Sequence, residues 1–274
     1  MRKIANRPDG ERFQSGADKY ADYLKTSEGR LRLDLAFANL QEFLPQETRC
    51  LRALDVGCGT GAIAIRLARL GVHVMLLDSS FAMLDYAQRA AHEAGVTENV
   101  VLQHGDASRL ADMFQPESFD VIICHNILEY VNEPGAVLRN TARLLRDPSS
   151  LISLLVRNQA GEVLKAAIRD GDLAASEYSL TAEWGHESLY GGMVRLFAAE
   201  SVRAMLAAAP LLVAAERGVR VLSDYLPPKV SQDNEYERIS KLECKLGRRP
   251  EFAAVARYTQ CIAHGTGWGR KDGR

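Results

Sequence analysis

Hydrophobic and polar positions alternate along this chain in two rhythms that exchange regularly. Residues 20–44 carry Leu31, Leu33, Leu35, Leu40 and Leu44 among charges, a pattern that predicts an N-terminal helix. "LRALDV" (51–56) then reads as a buried strand, and "GAIAIRLARLG" (61–71) as a helix closed by Gly71. "VHVMLLD" (72–78) is a near-continuous apolar run, as expected of a parallel strand covered on both faces. Ser79 or Ser80 can cap the following helix, "FAMLDYAQRAAHEAG". "NVVLQHGD" and "FDVIICHN" predict strands three and four, "PGAVLRNTARLLRD" a helix, and "SLISLLVRN" a fifth strand. Five strand–helix alternations predict an α/β fold with a doubly wound sheet.

Residues 158–199 break that rhythm with a mixed, glycine-containing segment, read as an inserted cap or lid. After it come a short Ala-rich helix, "LLVAAERGVRVLSDY", a charged helix near 235–246, and "FAAVARYTQCIAHG", expected to complete a seven-stranded, mostly parallel sheet. The expected organisation is a helical segment at 1–45, a core at 46–157 and 200–264, the cap between them, and a flexible tail at 265–274.

Composition narrows the class without naming it. With 47% hydrophobic and 25% charged residues, the chain can bury a large core, and its net charge is −1. Residues 151–274 hold 17 Lys plus Arg against 15 Asp plus Glu, so no basic field advertises a polyanion partner. The five cysteines are scattered without a C-x-x-C pair, which predicts free thiols and no zinc site. No apolar run reaches the ~18 residues of a membrane span. The polar N-terminus lacks a signal-peptide core, so a cytoplasmic protein is expected.

The chemistry sits where the strands end. In an open α/β sheet, ligands bind beyond the carboxyl ends of the strands, where strand order reverses. The first strand ends in "LDVGCGTGA": Gly57, Gly59 and Ala62 satisfy the dinucleotide pattern, and Gly57, Gly59 and Gly61 the tighter pattern of S-adenosylmethionine (SAM) enzymes. Glycines let the backbone turn sharply and lie close to a ligand. Asp55 is expected to bond loop amides, or else to touch the ligand. The second strand ends in Asp78, able to accept from two ribose hydroxyls. The third ends in "HGDA", with Asp106 placed for an adenine amino group, and the fourth in "HNILEYV" at the ligand's reactive end. A dinucleotide enzyme needs neither of the last two features; the series favours SAM, giving S-adenosylhomocysteine as product.

Here the chain resembles the class I SAM-dependent methyltransferases, a Rossmann-like family. More closely, it resembles the branch containing the bacterial tRNA carboxymethoxyuridine methyltransferase. The resemblance rests on "TSEGRLR" (26–32), "LDVGCGTG" (54–61), "LLDSSFAML" (76–84), "HNILEYV" (125–131), "GVRVLSDYL" (218–226) and "ARYTQCIA" (256–263). It implies Arg32 on the SAM carboxylate, Gly57, Cys58 and Gly59 under the methionine part and Asp78 on the ribose, with Gly61, Ser79 and Met83 as further cofactor-binding residues. It further implies Asp106 or Ala107 at the adenine and His125 near the sulfonium. One departure concerns the acceptor. That branch's tRNA enzyme carries a lysine-rich loop where this chain has Asp170, Asp172, Glu177, Glu183 and Glu187 against Lys165 and Arg169.

Methyl transfer from a sulfonium mainly requires alignment and exclusion of water. No metal-ligand spacing is visible. A carboxylate acceptor is already anionic and needs only an arginine to hold it. A hydroxyl, or the cation left by methylating an alkene, needs a proton acceptor. The candidates for that role are His125, Glu129, Tyr190 and Tyr225. Arg157, Arg220 and Arg257, with Tyr225, are the expected grip on an anionic acceptor, and Trp184, His186 and Tyr190 an aromatic cluster of the cap. The expected function is methylation of a small anionic metabolite, a prenyl diphosphate or a carboxylate. The alternatives are esterification of carboxymethoxyuridine at the tRNA wobble position, and an inactive SAM-binding module.

Overall fold

The computed structural model of the chain describes residues 9–187, 189–227, 230 and 233–266. Helices α1 (Asp9–Lys25) and α2 (Ser27–Gln41) precede β1 (Arg52–Val56), α3 (Ala62–Arg69), β2 (His73–Asp78), α4 (Phe81–Glu93) and β3 (Val100–His104). There follow α5 (Leu110–Met113), β4 (Val121–His125), α6 (Pro134–Ala142), β5 (Leu151–Arg157), α7 (Gln159–Leu164) and α8 (Leu173–Ser179). A two-stranded hairpin, β6 (Trp184–His186) and β7 (Met193–Arg195), leads to α9 (Ala199–Ala208) and β8 (Leu211–Val219). The chain then forms α10 (Tyr236–Gly247), α11 (Pro250–Ala253) and β9 (Tyr258–Gly265).

The seven-stranded sheet has the order β3-β2-β1-β4-β5-β9-β8. The first five strands are parallel; β9 runs antiparallel to both β5 and β8. Strand side chains alternate between the two faces. Ala53, Val74, Leu76, Val121 and Ile123 pack with α3 and α4, while Leu54, Leu77, Ile122, Cys124 and Leu154 pack with α6 and α9. This is the doubly wound sheet expected from the alternating pattern. The order reverses between β1 and β4, so the carboxyl ends of those strands open the ligand crevice.

Two elements differ from expectation. The helix read over 20–44 is two helices with a corner at Thr26, whose side-chain oxygen accepts from the Gly29 amide at 3.1 Å. At that corner a Cβ on Gly29 would lie 2.1 Å from the Tyr23 carbonyl oxygen. Residues 252–257 are not strand, because Pro250 starts α11 and β9 begins only at Tyr258. Nor does β9 close an edge; it lies between β5 and β8. In the segment 211–225, which the sequence left without an assignment, β8 ends at Val219. The Glu243 carboxylate then accepts from the amides of Val221, Leu222 and Ser223, folding residues 220–225 back into a turn.

The cap segment consists of α7, α8 and the β6–β7 hairpin. Of the expected flexible tail, Gly265 belongs to β9 and residues 267–274 lie outside the described residues. Among the described residues no helix is long and apolar enough to cross a membrane.

Candidate active site

A cavity of about 1140 Å³ opens beyond the carboxyl ends of β1, β2, β4 and β5. Helices α1 and α2 wall one side and the β6–β7 hairpin another, through Tyr20, Arg32 and Trp184.

The glycine loop forms its floor. Gly57, Gly59 and Gly61 all have positive φ, at 68°, 54° and 75°, conformations that side-chain-bearing residues rarely adopt. A Cβ on Gly57 would stand 2.7 Å from Ile127, and one on Gly59 3.1 Å from the Tyr20 ring. The amides of Gly57 and Cys58 donate to the Leu77 carbonyl at 2.8 and 3.0 Å, tying the loop to β2. Asp78 completes the tie: one carboxylate oxygen accepts from Gly59 at 2.8 Å, the other from Ser80 at 2.9 Å. Burial raises its pKa, against the lowering by these amides. Each oxygen keeps a lone pair for a ligand hydroxyl. Ser79, Met83, Asp106 and Ala107 line the same end. Asp106 also caps the following turn, accepting from Ser108 at 2.7 Å.

Three expected cofactor residues stand behind the loop. Asp55 and Cys58 line a separate small space of about 40 Å³, and Gly61 packs against Leu76 and Ala87. Burial, then the charge of Asp78, pushes Asp55 up to about 7, and burial also raises the Cys58 thiol. These residues shape the loop from beneath.

At the reactive end, the half-buried His125 shares a 2.7 Å hydrogen bond with Ser153 Oγ. Burial, then the neighbouring Arg32, holds it down at about 3, so the ring is neutral around pH 7. Asn126 follows in the left-handed region at φ 53°, a conformation asparagine tolerates. Its side chain links two functional groups: Oδ1 accepts from Arg32 at 3.1 Å, and Nδ2 donates to Glu129 at 2.9 Å. The same Glu129 oxygen accepts from the Arg157 amide at 2.8 Å, fixing the end of β5. Its other oxygen is buried without a hydrogen-bond partner, and burial raises this carboxyl's pKa.

The arginines separate into two kinds. Arg157 pairs with Glu187 at 2.7 Å, Arg257 with Glu162 at 3.0 Å and Asp224 at 3.1 Å, and Arg169 with Glu28 and Asp224 at 3.8 Å. Arg32 alone of the described cavity arginines has no carboxylate within ion-pair distance. It donates instead to the Tyr20 hydroxyl at 2.9 Å and to Asn126, amid the rings of Tyr20, Tyr23 and Tyr258.

Two expected acceptor residues are corrected. Arg220 is 2% exposed and lies outside the cavity, tied to Asp224, Glu28 and the Tyr23 hydroxyl. Tyr225 also lies outside it, its hydroxyl reaching the Gly161 carbonyl at 3.5 Å and its pKa pushed by burial to about 12. The Glu243-capped turn carries both away from the crevice. Tyr190 does reach the cavity, edge-on to Phe13 at 5.2 Å and against Gly16, but burial drives its pKa upward and makes it a poor proton acceptor. With Tyr20 and Tyr130 it builds an aromatic wall.

Sequence reasoning missed Tyr20, Tyr23, Asn126 and Glu162. Asn126 carried a signal, a polar residue directly after the fourth strand. The tyrosines, three apart on a helix, did not announce which way that helix faces.

Comparison with known proteins agrees with this geometry. A family described as "Methyltransferase domain" matches residues 47–205. The tRNA 5-carboxymethoxyuridine methyltransferase of Escherichia coli (strain K12) is 28% identical over 263 residues, covering 92% of this chain and 95% of that protein. The ubiquinone biosynthesis O-methyltransferase of Albidiferax ferrireducens is 36% identical over 146 residues, 53% of this chain and 54% of its own. Among solved structures, the CcbJ methyltransferase of Streptomyces caelestis superposes with a TM-score of 0.63 at 18% identity, covering 95% of this chain and all of that one. That likeness speaks for the fold.

Proposed function

From the premise that this chain belongs to the Methyltransferase domain family and is a SAM-dependent methyltransferase, we propose that it esterifies a carboxylate carried on a planar ring. The acceptor in this reading is the modified wobble uridine of tRNA. One observation carries it: similarity to the tRNA 5-carboxymethoxyuridine enzyme extends over 92% of this chain and 95% of that one. The ubiquinone O-methyltransferase likeness covers only about half the chain. A prenyl diphosphate finds no counterpart among these relatives.

The described residues fit SAM as cofactor. Asp78 suits the ribose, Asp106 and Ala107 the adenine, and the glycine loop the methionine chain. Arg32, uncommitted to any protein carboxylate, suits the amino-acid carboxylate. When bound, the cofactor supplies a methyl group on a sulfonium. The chain's own residues do the rest. Asn126 holds Arg32 and Glu129 in register, so cofactor end and acceptor end are positioned through one side chain. Phe13, Tyr20, Tyr130 and Tyr190 offer flat apolar walls against which a ring can stack. A carboxylate acceptor requires no base, which suits a neutral His125 and tyrosines of raised pKa.

A second reading, a free small carboxylate as acceptor, draws on the net charge of −1 and the acidic cap. Tritium-labelled SAM distinguishes them. Incubation with tRNA lacking the terminal methyl ester should give label in RNA that mild alkali releases. Label that appears only in a panel of small acids would transfer the assignment to the second reading. No label in either would overturn carboxylate esterification.

A further inference from the structure

We propose that Arg157 and the Tyr130 hydroxyl form the seat of the acceptor's carboxylate, and that Glu187 is its built-in competitor. The proposal rests on the reading that the acceptor presents a carboxylate.

Glu187 follows β6 in the cap. One carboxylate oxygen meets Arg157 Nη2 at 2.7 Å and the Tyr130 hydroxyl at 3.5 Å, while the other accepts from the Leu189 amide at 2.7 Å. The Arg157 and Glu187 side chains are only 12% and 8% exposed, yet Arg157, Tyr130 and Glu187 all line the cavity. A guanidinium and a hydroxyl converging on one carboxylate, inside a cavity, make a carboxylate site. Here it is filled by the chain itself.

Arg169 is 42% exposed and meets Glu28 and Asp224 only at 3.8 Å, and neither Arg257 nor Arg32 offers this seat. Arg257 is held between two carboxylates, and its Nη1 also donates to the Gly161 carbonyl at 3.1 Å. Arg32 belongs to the cofactor end. Arg157 has one close partner, and a second, Glu162, only at 4.0 Å. Its backbone is fixed by Glu129, so the guanidinium approaches from a rigid strand end. Its partner comes from a hairpin whose return contains Gly191 and Gly192 at φ 72° and 104°. A Cβ on Gly191 would touch nothing within 4 Å, while one on Gly192 would meet the Arg12 guanidinium at 3.6 Å.

Selectivity follows from charge. Leaving a buried guanidinium unpaired is costly, so a neutral ligand cannot displace Glu187. A carboxylate exchanges one pair for an equivalent one.

The test measures equilibrium binding of phenoxyacetate, an aryl ether bearing a carboxymethyl arm, to the full chain with S-adenosylhomocysteine present. Phenoxyethanol is the neutral control. Glu187→Gln should tighten phenoxyacetate binding about tenfold by removing the competing charge, and Glu187→Asp should tighten it less, its shorter arm weakening the internal pair. Arg157→Gln should abolish the binding, and in that background Glu187→Gln should change nothing. Phenoxyethanol should respond to none of these. Phenoxyacetate affinity that stays the same or falls in both Glu187 variants, with S-adenosylhomocysteine affinity as in the wild type, would overturn the proposal. Because no methyl transfer is read, failure here and failure of the esterification assay are separate outcomes.

Discussion

At the scale of the residue, Asp78 combines two tasks that a sequence pattern shows as one. It takes the amides of Gly59 and Ser80, holding the glycine loop against the start of α4, and it turns its remaining lone pairs to the cavity. Asp78→Asn keeps the volume but replaces one acceptor by a donor facing a backbone amide. With charged hydrogen bonds contributing roughly 1.5–3 kcal/mol each, SAM affinity should fall at least tenfold by calorimetry. Affinity equal to the wild type would remove Asp78 from the cofactor site. Arg32 makes a related point: its lack of a carboxylate partner distinguishes it from Arg157, Arg169 and Arg257, and only coordinates reveal that.

At the scale of the element, α7 illustrates how closely the cap is joined to the sheet. Gly161 lies against the turn before β9, where a Cβ would stand 2.2 Å from the Ala256 carbonyl oxygen. The Arg257 guanidinium bonds the Gly161 carbonyl, and the Asn158 side chain takes the carbonyls of Ala254 and Ala256. Gly161→Ala would have to push backbone from backbone, at a cost of about 1–3 kcal/mol. Urea unfolding should show that loss, whereas Gly171→Ala, with open space but φ 67°, should cost only about 1 kcal/mol of backbone strain. Equal losses would mean that α7 can shift off β9 freely.

At the scale of the whole molecule, two buried groups bend the pH dependence of stability in opposite directions. His125 titrates near 3 in the folded chain against about 6.5 unfolded. Between those values only the unfolded chain binds the proton, so stability rises with pH. Asp55 titrates near 7 folded against about 3.9 unfolded. There only the folded chain binds the proton, so stability falls with pH. Each slope is about 1.4 kcal/mol per pH unit, and from about pH 4 to 6.5 the two cancel. Removing one group should expose the other. Relative to the wild type, His125→Asn should lose stability as pH rises through that window, and Asp55→Asn should gain it. Urea melts at pH 4.5, 5.5 and 6.5 read this directly; parallel curves for all three proteins would refute the assignment. The ionic cluster of Arg220, Asp224, Glu28, Arg257 and Glu162 works at the same scale, joining α2, α7 and the turn after β8.

By itself, the sequence determined the alternation of strand and helix, the doubly wound sheet, and the gathering of Asp78, Asp106 and the glycine loop at one cavity. Those depend on local periodicity and on residues at strand ends, and a parallel strand delivers its last residues to one crevice whatever surrounds it. Asp78, Asp106 and the glycine loop were legible for that reason. Tertiary structure decided which arginines face the cavity and which are already paired. Whether an arginine is available depends on which carboxylates converge on it from distant segments: Glu187 on Arg157, Glu162 and Asp224 on Arg257, Glu28 and Asp224 on Arg220. Arg220 and Tyr225 looked equally suited to the crevice until Glu243, about twenty residues away, gathered three amides and turned them from it. Charge in a sequence is local, but its neutralisation in a buried site is a property of the fold.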